Sequence, residues 1–178
     1  MSEKAKKSKA PPRGLQVTRG GRAAGWKFPL DRYELPLVVK SMLTQAGKGR
    51  AFLEITLLDD DEMTEVHRDF LGCDSPTNVL AFPSGTVAPV KNLSNAENKG
   101  SFPKTAGPAN LGWIAISYDT LLRESFLYGQ EPTLYAIRLL AHGIAHLAGY
   151  SHGAEMDDFS DKLYEKAVNL LKVERKIS

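Results

Sequence analysis

Three of the chain's four histidines fall within eleven residues, His142-Gly-Ile-Ala-His146-Leu-Ala-Gly149-Tyr-Ser-His152. Residues four apart are neighbours on a helix, so a helix ending at Gly149 stacks His142 and His146 on one face. The turn after Gly149 then carries His152 back toward them. Three imidazoles converging from a helix and the turn behind it make a metal site with one open position, an arrangement suited to hydrolytic chemistry.

The rest of the chain supplies a scaffold of alternating type. Leu15–Arg19 reads as a short strand stopped by Gly20-Gly21. A helix is expected to begin near Pro36, with Leu35, Val38, Val39, Met42 and Leu43 as its apolar stripe and Gly47 at its end. Residues 51–58 form a mostly apolar strand. Asp59, Asp60, Asp61 and Glu62 suit the start of a helix running to about Phe70, because carboxylates cap free N–H groups and complement the helix dipole.

A second strand is expected over 78–83 and a third over 111–117, separated by one long loop over 84–110. Ser117 caps a helix over 118–128, and Pro132 opens the helix that carries the histidines. Met156, Phe159, Leu163, Ala167 and Leu170 place an apolar stripe on a last helix from about 154 to 173. The expected fold class is α/β (α+β), a small mixed four-stranded sheet packed with about five helices.

At 178 residues the chain is expected to hold one domain, over 31–178, behind a basic arm over 1–30. That arm carries eight Lys and Arg against one acid, while the body has 15 bases and 20 acids. It is read either as a solubilising flexible leader or as a handle for an anionic partner such as RNA. No apolar run approaches the roughly 20 residues needed to cross a bilayer, so a membrane is not an expected partner. The single cysteine, Cys73, excludes an internal disulfide framework and fits a reducing compartment, the cytoplasm by default.

Zinc suits three neutral imidazoles plus water, whereas structural zinc usually takes four ligands, mostly thiolates. One thiol cannot build such a closed site. A three-histidine ion would lower the pKa of a bound water to about 7. The residue after His142 separates reaction classes. Zinc peptidases of the H-E-x-x-H type place a glutamate there as general base, and this chain has Gly143. Glycine accepts no proton, so phosphodiester cleavage is better placed than peptide hydrolysis.

Three blocks then carry a resemblance. They are His142-Gly-Ile-Ala-His146-Leu-Ala-Gly-Tyr-Ser-His152, Asp74-Ser-Pro-Thr77-Asn78-Val-Leu-Ala-Phe-Pro83, and Leu111-Gly-Trp113-Ile-Ala-Ile-Ser117. Over roughly 31–172 the chain resembles the YbeY family of rRNA-maturation endoribonucleases. The resemblance implies a zincin-like three-layer architecture, zinc held by His142, His146 and His152, and cleavage of single-stranded RNA. It also implies a role in ribosomal RNA 3′-end processing and ribosome quality control. The expected partners are an rRNA precursor and ribosomal particles, with no DNA.

The chain departs from the family's pattern at several positions. An arginine thought to act on RNA phosphate is replaced by Leu71, and Arg68, one turn earlier, is the candidate to stand in for it as a catalytic group. The aspartate of the third block is Trp113, the aspartate before the last histidine is Ser151, and His67 falls where Asn is frequent.

Thr77, Asn78 and Trp113 are candidate substrate contacts. Thr77 and Asn78 could equally cap and turn the chain after Pro76, and Trp113 could pack rather than stack on a base. Tyr150 either orients the site or packs. Arg123 and Arg138 are read as phosphate contacts or as solvated helix charges. The leading expectation is a zinc-dependent endoribonuclease. Its rivals are a non-catalytic ribosome-assembly factor with a structural zinc and, opposed by Gly143, a metallopeptidase.

Overall fold

A computed structural model describes residues 14–20, 28–84 and 110–177. The chain runs β1 (Leu15–Arg19), α1 (Glu34–Gln45), β2 (Phe52–Leu58), α2 (Asp60–Leu71), β3 (Val79–Pro83), β4 (Asn110–Ser117), α3 (Tyr118–Leu127), α4 (Pro132–Leu147) and α5 (Ala154–Ile177). The four strands form one sheet in the order β1-β2-β4-β3. β1, β2 and β4 are parallel, and β3 is antiparallel to β4 at the edge. The mixed four-stranded sheet and five helices match the expected class.

Local chemistry explains the helix starts. α1 begins two residues before Pro36 because the Asp31 carboxylate accepts from the N–H groups of Tyr33 and Glu34, at 2.6 and 2.8 Å. α2 opens with a capping box. The Glu62 N–H donates to the Asp59 side chain at 2.7 Å, and the Asp59 N–H donates to the Glu62 side chain at 3.1 Å. The Ser117 hydroxyl caps α3, accepting from the Thr120 N–H at 3.1 Å.

Both faces of the sheet are covered. Leu53, Ile55, Ile114 and Ile116 point to the face where α1, α4 and α5 pack, and this is the larger core. Alternation sends Trp113 and Ala115 to the opposite face, beneath Met63 and Val66 of α2. The layers are therefore one helix, the sheet, and the remaining helices.

Part of the segment expected as a basic arm lies in this body. Leu15–Arg19 pairs in register with Leu53–Leu57, and Phe28 and Leu30 are buried in the larger core. Burying these apolar side chains stabilises the attachment of the two described stretches to the body. The leader over 1–13 and nearly all of the long loop expected over 84–110 lie outside the described residues. No helix among the described residues is long and apolar enough to cross a membrane.

Candidate metal centre

α4 presents the first two histidines. Its N-terminus is fixed by Pro132 in the first turn and by Glu131, whose carboxylate accepts from the N–H groups of Thr133 and Leu134 at 3.0 and 2.9 Å. The helix is apolar on most sides and buries eleven of its sixteen residues. His142 and His146 occupy the part left half-buried at the protein surface. At its end the Gly149 N–H donates to the His146 carbonyl and the Tyr150 N–H to the Ala145 carbonyl, at 3.0 and 3.1 Å. Gly149 has φ +99°, a region L side chains rarely adopt, and the reversal it permits returns His152 to the helix.

The three rings converge. Their centroids are 4.7 Å apart for His142–His146, 4.7 Å for His146–His152 and 5.4 Å for His142–His152. One ligand atom from each lies within 4.8 Å of the others. The Nε2 atoms of His142 and His146 are 3.1 Å apart. A tetrahedral ion with metal–nitrogen bonds of about 2.0–2.1 Å holds its ligands roughly 3.3–3.4 Å apart, so this pair is spaced for one.

The ring of His146 is oriented from behind. Its Nδ1 lies 3.2 Å from the Tyr150 carbonyl. A carbonyl only accepts, so Nδ1 carries the proton and Nε2 keeps its lone pair for a metal. Tyr150 thus orients the ligand through its main chain, while its ring stacks on Phe159 at 4.4 Å.

Burial holds the His142 pKa below its ordinary value, and the neighbouring His146 and His152 push it the same way, against a smaller opposing pull from Asp157. Burial also lowers His146, opposed by the Tyr150 carbonyl and reinforced by His152. Both shifts favour the neutral imidazole, the form that binds metal. Three nitrogen donors without a thiolate or carboxylate fit a borderline divalent ion. Cys73 stands apart, exposed, with its thiol directed to the Leu71 carbonyl at 3.7 Å.

The histidines open onto a cleft of about 390 Å³ walled by Leu71 of α2 and by Val79, Ala81 and Pro83 of the edge strand β3. Gly143 also borders it, where α4 crosses the sheet. A Cβ there would stand 3.0 Å from Cδ1 of Ile114. The position after His142 is thus a point of close helix–sheet approach and offers no proton acceptor.

The other sequence candidates are placed differently. Trp113 is 2% exposed, its Nε1 donates to the Thr56 hydroxyl at 2.8 Å, and its ring stacks on Phe82 at 4.9 Å. That burial fits the packing alternative for Trp113: its ring lies on the α2 side of the sheet, whereas α4 packs on the other. The Asn78 side-chain amide donates to Glu124 at 2.8 Å and to the Tyr135 hydroxyl at 3.5 Å, so it ties the start of β3 to α3 and α4. Thr77 is half-buried just before β3.

Arg68 is exposed and paired with Asp74, and it is not among the residues lining the cleft. His67 is also engaged in this region, its Nδ1 lying 2.7 Å from the Ser75 carbonyl. Arg123 is bound to Asp60 at 2.8 Å, and Arg138 lies over the Tyr164 ring at 4.6 Å.

Two features escaped the sequence reading. Leu71 itself forms cleft wall. On α5, Asp157, Ser160, Asp161 and Tyr164 line a second cavity that shares His142. The legible signal was Ser160, a hydroxyl one turn after Met156 within an apolar stripe.

Comparison with known proteins agrees with the blocks noted in the sequence. A family model described as "Endoribonuclease YbeY" matches residues 28–172. A protein named endoribonuclease YbeY from Oleidesulfovibrio alaskensis is 43% identical over 154 residues, covering 85% of this chain and 90% of its own. One of the same name from Nitratidesulfovibrio vulgaris is 38% identical over 146 residues, covering 82% and 90%. The solution structure of TM1509 from Thermotoga maritima superposes with a TM-score of 0.57 at 19% identity, over 92% of this chain and 95% of that one, which shows a shared fold. By the extent of the family match and by these relatives, the chain belongs to the YbeY family.

Proposed function

We propose that this protein is a metal-dependent endoribonuclease that cuts single-stranded RNA, with zinc as its ion and rRNA precursors as its substrate. The observation that carries the reading is the convergence of His142, His146 and His152 at the floor of an open cleft. The names of the relatives supply the reaction class.

His142, His146 and His152 would hold the ion. When bound, it supplies Lewis acidity toward a phosphoryl oxygen and lowers the pKa of a coordinated water. The chain's own residues do the rest. The lowered pKa values of His142 and His146 keep both rings neutral near pH 7 and ready to coordinate. The Tyr150 carbonyl fixes the His146 ring, and Gly143 offers no side-chain base at the position after His142. Leu71 and β3 form a wall that confines the strand.

Arg68 is assigned to a backbone phosphate rather than to chemistry. It lies one turn from Leu71, and its partner Asp74 is exposed, so the guanidinium can exchange partners. Thr77 is assigned a hydroxyl contact to the strand, and Asn78 the positioning of β3. The setting is the cytoplasm, which the lone cysteine suits, and the role is 3′-end maturation and quality control on ribosomal particles, as the family resemblance implies.

A second reading has one observation in its favour. The cleft wall carries apolar Leu71 where the family resemblance calls for a cation, which suits a non-catalytic assembly factor. Metal analysis of the isolated protein, paired with cleavage of a single-stranded RNA, separates the two. The nuclease reading expects about one bound divalent ion per chain and RNA cleavage that His146→Ala abolishes. Wild type that binds ribosomal particles but leaves RNA intact would establish the assembly factor instead.

A further inference from the structure

A second cavity, of about 300 Å³, lies between α4 and α5 and has His142 as a shared wall with the metal cleft. Its volume is at the lower end of the range small-molecule sites occupy, about 300–1,000 Å³. A nucleic acid strand held at the metal would therefore have the β3 wall on one side of the scissile bond and this cavity on the other.

The lining points to a particular chemistry. Arg138 sits one turn before His142 on α4 and rests its guanidinium on the Tyr164 ring, 4.6 Å from the centroid. Its ion pair with Asp161 is long, at 3.7 Å, and both side chains are substantially exposed, so the pair does not occupy the cation fully. A guanidinium braced on one face by an aromatic ring presents its other face for stacking, a recurrent way of holding an unstacked RNA base.

Asp157 and Asp161 add two carboxylates, which accept hydrogen bonds and do not donate. The hydroxyl of Ser160 is sealed from solvent and has no hydrogen-bond partner among the described residues. A buried hydroxyl without a partner is costly, and a change of its χ1 rotamer toward the cavity would give it a polar group to pair with there.

This combination disfavours a phosphate, which two carboxylates repel. It equally disfavours a purely apolar ring, which would offer no donor to the serine or to either acid. A nucleobase has the π face the guanidinium wants and edge N–H groups the acceptors want. Among the bases, those with an exocyclic amino group offer most donors, and carboxylate pairing with the cytosine amino group is an established mode.

We propose that Arg138, Asp157, Ser160, Asp161 and Tyr164 form a nucleobase subsite beside the metal centre that selects amino-bearing bases over uracil at one nucleotide flanking the cut. The inference rests on the RNA-cleaving reading for its strand, and it adds a sequence preference that reading does not contain.

The test uses metal-loaded full-length protein and a set of short single-stranded RNAs. They differ only at one position flanking the cleavage site, which carries A, C, G, U or no base. Equilibrium binding and single-turnover cleavage are both measured. Wild type is expected to bind and cut the A, C and G substrates about tenfold better than the U and abasic ones. Asp161→Asn, Ser160→Ala and Arg138→Ala should each narrow that ratio severalfold.

Uniform rates and affinities across the five RNAs would overturn the subsite and leave the nuclease reading intact. A wild-type preference that survives in all three variants would overturn it as well. Binding discrimination lost in the variants, with no cleavage by any protein, would sustain the subsite and overturn the nuclease reading.

Discussion

The Nε2 atoms of His142 and His146 face each other at 3.1 Å, with their rings nearly perpendicular at 89°. Burial and the nearby third histidine lower the pKa of both, so neither ring holds a proton strongly. With both rings protonated on Nδ1, as the Tyr150 carbonyl dictates for His146, two lone pairs meet at that distance and a cation between them reconciles them. Zinc added to metal-free protein should therefore raise its melting temperature, since a ligand that binds only the native state stabilises it by about 4 kcal/mol at a thousandfold excess over Kd. His146→Ala should remove most of that shift and leave the far-ultraviolet circular dichroism of the helices unchanged. A zinc-dependent shift of full size in the variant would contradict the assignment.

Asp60 makes the fold sensitive to acid. Burial alone would raise its carboxyl pKa. The Ser117 and Thr120 hydroxyls, each donating at 2.6 Å, and the Arg123 guanidinium at 2.8 Å together outweigh burial and hold it below the ordinary 3.8. A carboxyl with a depressed native pKa contributes stability that is full above its unfolded value and disappears as pH falls through the native one. The contribution should thus be present at pH 5–7 and fade below about pH 4. Asp60→Ala is expected to cost roughly 2 kcal/mol near neutrality, the scale of hydrogen bonds to a charged group. Its stability should also fall less steeply than wild type on acidification. Arg123→Ala, removing a 58% exposed partner, should cost only about 0.5 kcal/mol. Urea denaturation at several pH values reads both.

Asn78 offers a clean division between substrate contact and scaffold. Its amide donates to Glu124, which also accepts the Tyr135 hydroxyl at 2.7 Å. Burial, reinforced by Glu124, pushes the pKa of that tyrosine up to about 12, so it stays protonated and donating. Asn78→Ala is expected to destabilise the protein by about 1–2 kcal/mol, because a half-buried carboxylate loses a donor. Cleavage should suffer mainly through a less ordered β3 wall. Unchanged stability with a raised KM would instead make Asn78 a direct substrate contact.

Much of this architecture was legible in the sequence because its signals are local. Asp59 with Glu62, Ser117, Pro132 and Gly149 each fix a helix end through contacts within a few residues. The histidine spacing likewise needs only helix geometry. Trp113 shows where local reading stops. Alternation along β4 says that Trp113 and Ile114 face opposite ways, and says nothing of what covers each face. α2 gave little warning, since the side of it that meets the sheet carries only Met63, Val66 and Phe70 amid many charges. Those few suffice to roof the tryptophan. Trp113→Phe should preserve the ring packing, lose the Thr56 hydrogen bond, and cost about 1 kcal/mol of stability. RNA affinity should not change, and a weakened affinity at equal stability would put the indole back at the substrate.

Leu71 turns the same reasoning toward gain of function. It is 60% exposed and forms part of the cleft wall, so its side chain can be lengthened toward the cleft without disturbing a core. An arginine placed there would meet any phosphodiester backbone lying over the histidines. One added phosphate contact on single-stranded RNA steepens the salt dependence of log K by about 0.7. At low salt, a gain of about tenfold in affinity corresponds to roughly 1.4 kcal/mol. Leu71→Arg is therefore expected to bind RNA more tightly with that steeper salt slope, and to raise kcat/KM in step. Leu71→Gln, similar in length but uncharged, should do neither. If Leu71→Arg leaves affinity and slope unchanged, the RNA backbone does not pass over this wall, and the path of the strand past the metal would have to be redrawn.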